Sequence, residues 1–110
     1  MRFSRSGGAA ARVTKRLSFS RRATADLNEI WDYTEERWGR EQAYAYVSSL
    51  VADCRAVLAG DKPGQTYEHI SGALVRIRSG AHAAFLNQAP DGLRVVRVIH
   101  LKRDVVAELD

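Results

Sequence analysis

The hydrophobic period of this chain switches once, from helical to extended, and that switch limits the fold more than any other feature. Ala23, Leu27, Ile30, Trp31, Thr34 and Trp38 recur at steps of three and four, which puts them on one stripe of a helix. Asp26, Glu29, Asp32, Glu35 and Glu36 fall mostly off that stripe. Ser20 offers a capping hydroxyl and Gly39 a stop. From near Arg40 the period restarts through Ala43, Val47, Leu50, Val51, Cys54, Val57 and Leu58 until Gly60 ends it. Two amphipathic helices joined by a tight turn predict an antiparallel hairpin. Ahead of them, Leu17 and Phe19 alternate with polar neighbours, the period of a half-buried strand.

Beyond Gly60 the pattern changes. The segment from Asp61 through Gly72 begins DKPG, shows no clear period, and reads as a loop. LVRIRS from Leu74, AAFLNQ from Ala83 and LRVVRVIHL from Leu93 are then short apolar-rich runs. Ser79-Gly80 and Pro90-Asp91-Gly92 separate them as turns. The expected architecture is therefore α+β: an N-terminal strand, then an antiparallel helical hairpin packed on a mainly antiparallel sheet that three C-terminal strands complete (β-α-α-β-β-β). The hairpin can bury its stripe only against one face of those four strands.

A chain of 110 residues suits one domain with one modest core. No apolar run approaches the roughly 18 to 20 residues of a membrane helix. A lone cysteine, Cys54, on the face of Leu50, Val51 and Leu58, is expected to be a packed core thiol in a reducing, cytoplasmic setting. The formal charge of +4 belongs to the front of the chain: Arg2, Arg5, Arg12 and Lys15 precede any acid, leaving 13 basic residues against 13 acids in the body. Residues 1–15 are thus expected to form a disordered basic extension, and residues 16–110 the domain. Within the body, Asp26 to Asp61 carries eight acids and three bases, whereas Lys62 to Arg103 carries two acids and seven bases. Sorted charge of this kind suits a complementary protein face, while a neutral body disfavours direct nucleic-acid binding.

No catalytic constellation emerges. His69, His82 and His100 lack the close spacing of a local metal motif, and no glycine-rich phosphate loop precedes a helix. Neither a metal nor another cofactor is expected. What remains is a basic set near the last strands: Arg76, Arg78, His82, Arg94, Arg97, His100, Lys102 and Arg103. Arg76 and Arg78 share parity, so both should face solvent opposite Val75 and Ile77 and could form a fork for carboxylates. Arg97 counts with Val95 and Ile99, and His100 with Val96 and Val98, so the two should point apart unless a bulge intervenes. Arg97 is expected to pair with an acid of the helical layer. Trp31 and Trp38 are expected in the core, with Tyr33, Tyr44 and Tyr46 as residues of which some could anchor a partner, Tyr33 and Tyr44 first.

In combination, several stretches resemble the ParE branch of the RelE/ParE toxin superfamily. They are LSFSRRATADLNEIWDYTEERWG from Leu17, QAYAYVSSL from Gln42, LAGDKPG from Leu58 and RVIHLKRDV from Arg97. The resemblance implies the toxin of a type II toxin–antitoxin pair. Such a toxin would poison DNA gyrase by binding and be held inactive in a hetero-oligomer with a ParD-like antitoxin wrapped over hairpin and sheet. It also places Arg97 and His100 in the family's closing strand motif, with Arg103 just beyond. The alternatives are a RelE-like ribosome-dependent mRNA endoribonuclease and a nonenzymatic adaptor that contacts nucleic acid through its basic extension.

Overall fold

In the computed structural model, which describes residues 15–69 and 72–109, the switch of period becomes a helical layer on a sheet. β1 (Arg16–Phe19) leads into α1 (Arg21–Trp38) and α2 (Arg40–Ala59). β2 (Gln65–His69), β3 (Gly72–Ser79), β4 (His82–Ala89), β5 (Gly92–His100) and a short α3 (Val105–Leu109) follow. The expected N-terminal extension lies, but for Lys15, outside the described residues.

Each helix boundary has a local cause. The Ser20 hydroxyl accepts the Ala23 N–H at 3.0 Å and donates to the Val96 carbonyl at 2.8 Å, so one side chain caps α1 and pins it to β5. At the other end the Gly39 amide bonds back to Glu35, and α2 starts at the next residue. The Gly60 amide returns to the Ala56 and Val57 carbonyls and closes α2.

The strands run in the order β1-β5-β4-β3-β2, with β1 parallel to β5 and every other pair antiparallel. Ala23 and Ile30 of α1 and Leu50 and Cys54 of α2 pack on Ile77, Ala84, Leu86, Leu93, Val95 and Val98 to form the main core. Burying a side chain such as Leu50 or Leu86 stabilises by about 1.5–3 kcal/mol, so this layer supplies most of the cohesion. A second, smaller cluster of Leu74, Ala83, Phe85 and Ile99 occupies the opposite face. At position 92, β1 crosses so closely that a Cβ would lie 2.0 Å from the Arg16 carbonyl oxygen, which restricts the site to glycine.

Four features depart from the sequence reading. The supposed loop from Asp61 to Gly72 contains a fifth strand, β2, paired antiparallel with β3. An edge strand hydrogen-bonds on one side only and needs little apolar alternation, so QTYEH carries a weak signal. The closing helix α3 has five residues, too few to show a helical period. Trp38 is 63% exposed rather than in the core; it is the last residue of α1, beside the Gly39 stop, and its ring meets Tyr33 edge-on. Trp31 is half-buried.

The fourth departure is a bulge. Phe85 pairs with Arg97 but Leu86 with Val95, leaving Val96 without a partner. Val95 and Val98 therefore share the helix side, and Val96 and Ile99 the other. Arg97 is moved off the face of Val95, whereas His100 keeps company with Val98.

Candidate functional site

β1 ends opposite Val95, so the outer edge of β5 is open from Val96 onward. Asp26, one turn into α1, fills that gap. Its Oδ2 accepts the Val98 N–H at 2.8 Å and Arg97 Nε at 2.8 Å, while Oδ1 accepts Arg97 Nη2 at 3.0 Å. The expected tie between Arg97 and the helical layer is thus a bidentate fork with the two side chains only 11% and 13% exposed. From the far side, α3 contributes the Glu108 backbone carbonyl, which accepts from Nη1, and the Glu108 carboxylate 3.3 Å from Nη2. The Asp26 hydrogen bonds raise the Arg97 pKa above its ordinary value, with Glu108 adding to the effect. Arg97 is a structural hub: four of its five N–H donors are directed at protein oxygens.

Next to the hub, α1, α2 and the strand ends enclose a groove of about 1060 Å³. Ile30, Tyr33, Thr34 and Trp38 line it from α1, and Gln42 and Tyr46 from α2. His82, His100, Lys102 and Arg103 supply the opposite wall and rim. Tyr46 sets this geometry. Its hydroxyl accepts the Ala81 N–H at 2.9 Å and lies 2.7 Å from His82 Nδ1, and the His82 ring meets His100 edge-on at 5.1 Å. Burial pushes the His82 pKa down to about 4, and the neighbouring His100 and Arg103 push the same way, so its imidazole is neutral at pH 7. His100 Nδ1 accepts the Lys102 N–H at 3.1 Å, which ties the ring to the turn after β5. Gly80 makes room for Tyr46: a Cβ there would sit 2.7 Å from the hydroxyl oxygen.

The structure brings Tyr33, His82, His100, Lys102 and Arg103 together at this groove, with Arg97 in an adjoining recess of about 290 Å³. It does not bring the other expected residues there. Tyr44, 64% exposed, packs edge-on against Trp31. Arg76 is half-buried and Arg78 exposed; both lie on the sheet face away from the helices, as their parity required. Sequence reasoning missed Trp38, Asp26 and Glu108 as contributors, and it left open the place of Tyr46, which lines the groove. Asp26 was within reach of it, since Ala23, Asp26 and Ile30 stand at helical spacing on adjoining positions of one face.

Away from the groove, the Ser79 hydroxyl donates to Asp53 Oδ2 at 2.6 Å and Lys62 Nζ lies 3.1 Å from Oδ1, which joins α2 to β3. The Ser79 bond, with Lys62 behind it, holds the Asp53 pKa below the usual carboxylate value. Cys54 is fully buried, and burial pushes its thiol up to about 11, so it packs as a small apolar group. Among the described residues, no three His, Cys, Asp or Glu side chains converge on a metal position. The groove offers a largely aromatic and aliphatic floor, with Lys102 and Arg103 outnumbering the one carboxylate of its lining, Glu29, a surface suited to binding.

Residues 17–105 match the profile of the family described as "ParE toxin of type II toxin-antitoxin system, parDE". The chain is 38% identical over 97 residues to Toxin ParE1 of Caulobacter vibrioides, covering 86% of this chain and 98% of that protein. It is 33% identical over 94 residues to Toxin ParE1 of Mycobacterium tuberculosis, covering 84% and 96%. A chain of the chromosomal ParDE toxin–antitoxin system from P. aeruginosa shares the fold, with a TM-score of 0.67 at 20% identity over 80% of this chain and 97% of that one.

Proposed function

The chain belongs to the ParE toxin family of type II toxin–antitoxin systems, and from that premise we propose that it arrests growth by binding DNA gyrase and is silenced by a ParD-like antitoxin seated in the groove. The groove itself carries this reading. An amphipathic acidic segment could lay its apolar side on Ile30, Tyr33 and Trp38 and its carboxylates along Lys102 and Arg103. The charges would steer the encounter, and burial of the aromatic floor would hold the complex. With such partners the protein would act in the cytoplasm, within a hetero-oligomer.

Expression with and without the adjacent antitoxin gene, followed by supercoiling and translation assays on purified components, tests the reading. Growth arrest relieved by the antitoxin, with loss of gyrase supercoiling, is the expected result. Ribosome-dependent cleavage of mRNA with supercoiling intact would assign the chain to RelE-like chemistry instead, and unaffected growth would overturn the toxin role.

A further inference from the structure

The sheet has two faces, and the groove uses one of them. Val75 and Ile77 of β3 join the main core, and the Ser79 hydroxyl reaches Asp53 of α2. Strand alternation then forces Arg76 and Arg78 onto the other face, about 7 Å apart along β3. Arg76 stands in register with Phe85 of β4 and Gln65 of β2; Arg78 stands opposite Ala83, past the end of β2. Beneath them the sheet is apolar and buried. Leu74 and Phe85 lie at the base, and Tyr67 meets the Phe85 ring edge-on at 5.3 Å. α3 packs on this cluster through Val105 and Leu109 and is anchored at β5 by Glu108 and Arg97. Among the described residues no carboxylate lies within 4 Å of Arg76 or Arg78.

Two cations at the spacing of alternate residues in an extended chain, with no carboxylate within 4 Å among the described residues, are complementary to an acidic protein surface. From this we infer that the far face of the sheet around Arg76 and Arg78 is a second docking surface, and that its occupant is an acidic patch of the toxin's target rather than the antitoxin. The groove and the arginine pair lie on opposite sides of the sheet, so the two partners need not compete for the same side chains. Nucleic acid suits the face less well, because affinity for it rests on neutralising many phosphates and the body outside the extension is charge-neutral. The inference rests on the toxin reading, and the test separates the two.

Arg76→Glu/Arg78→Glu is compared in the full chain with the groove-rim variant Lys102→Glu/Arg103→Glu, after thermal melts confirm folding of both. The far-face variant is expected to lose growth arrest while its affinity for the antitoxin stays within about threefold. The rim variant is expected to lose at least tenfold in antitoxin affinity. Arrest by the far-face variant equal to wild type, or a matching loss of antitoxin affinity, would overturn the inference.

A direct probe does not depend on toxicity. A short peptide alternating glutamate and glycine, titrated into the ¹⁵N-labelled chain at about 0.15 M salt, should shift amides of residues 74–78 and 85, and should not do so in the far-face variant. Shifts confined to His100 through Arg103, or tighter binding of a short oligo-dT strand than of the peptide, would count against the surface even if wild type arrests growth. If wild type fails to arrest growth while the peptide still maps to β3, the toxin reading falls and the acidic-protein surface stands.

Discussion

Asp26→Ala should be among the most damaging single substitutions outside the apolar core. Two losses combine. The Arg97 guanidinium loses a bidentate partner at 2.8 and 3.0 Å in a site where both side chains are nearly enclosed, and the Val98 amide loses its acceptor at 2.8 Å. Removing one member of a buried pair costs about 3–5 kcal/mol, and leaving a backbone N–H unsatisfied about 1–3 kcal/mol. Glu108 still shares the guanidinium charge, and water can enter at the open edge of β5, so the combined cost should fall at about 3–4 kcal/mol. For a domain of this size that corresponds to a fall in Tm of about 15–20 °C.

Urea denaturation of wild type, Asp26→Ala, Arg97→Met and the double variant gives the coupling directly. The double variant should be less destabilised than the sum of the singles by about 2 kcal/mol, because removing both charges leaves no orphaned ion. Additivity within about 0.5 kcal/mol, or a single-variant cost below about 1 kcal/mol, would refute the hub.

Two further outcomes follow from the Tyr46–His82 pair. The His82 pKa is lowered from 6.5 to about 4 in the folded state, so between those values the unfolded chain binds more protons and stability falls as pH falls. The loss from pH 7 to pH 5 should reach about 1–2 kcal/mol after discounting for partial solvation. Denaturation at the two pH values checks it, and His82→Asn should flatten the difference. Gly80→Ala forces a Cβ to 2.7 Å from the Tyr46 hydroxyl at a backbone φ of +59°. It should cost about 1–2 kcal/mol in backbone strain alone, and it should move the His82 NMR titration back toward the ordinary histidine range. An unmoved titration would mean that Tyr46 does not set the environment of His82.

The sequence by itself determined the elements whose signal is periodic and long. The stripe through Ala23, Leu27 and Ile30, the restart after Gly39 and the stop at Gly60 gave both helices; alternation gave β1 and the opposed faces of Val75 and Arg76, and apolar runs between turns gave β3, β4 and β5. These are local consequences of side-chain geometry on a regular backbone, and the motif run from Leu17 to Val105 carried the family with them. Only the tertiary structure decided the rest. β2 exists because β3 offers it hydrogen bonds, and α3 because Val105 and Leu109 find the cluster around Phe85. Trp38, the last residue of α1, is left 63% exposed, and the bulge at Val96 resets which residues of β5 face the helices. Arg97 pairs with Asp26 across 71 positions of sequence. Such pairings arise where chain segments distant in sequence meet, and no period within either segment encodes the partner.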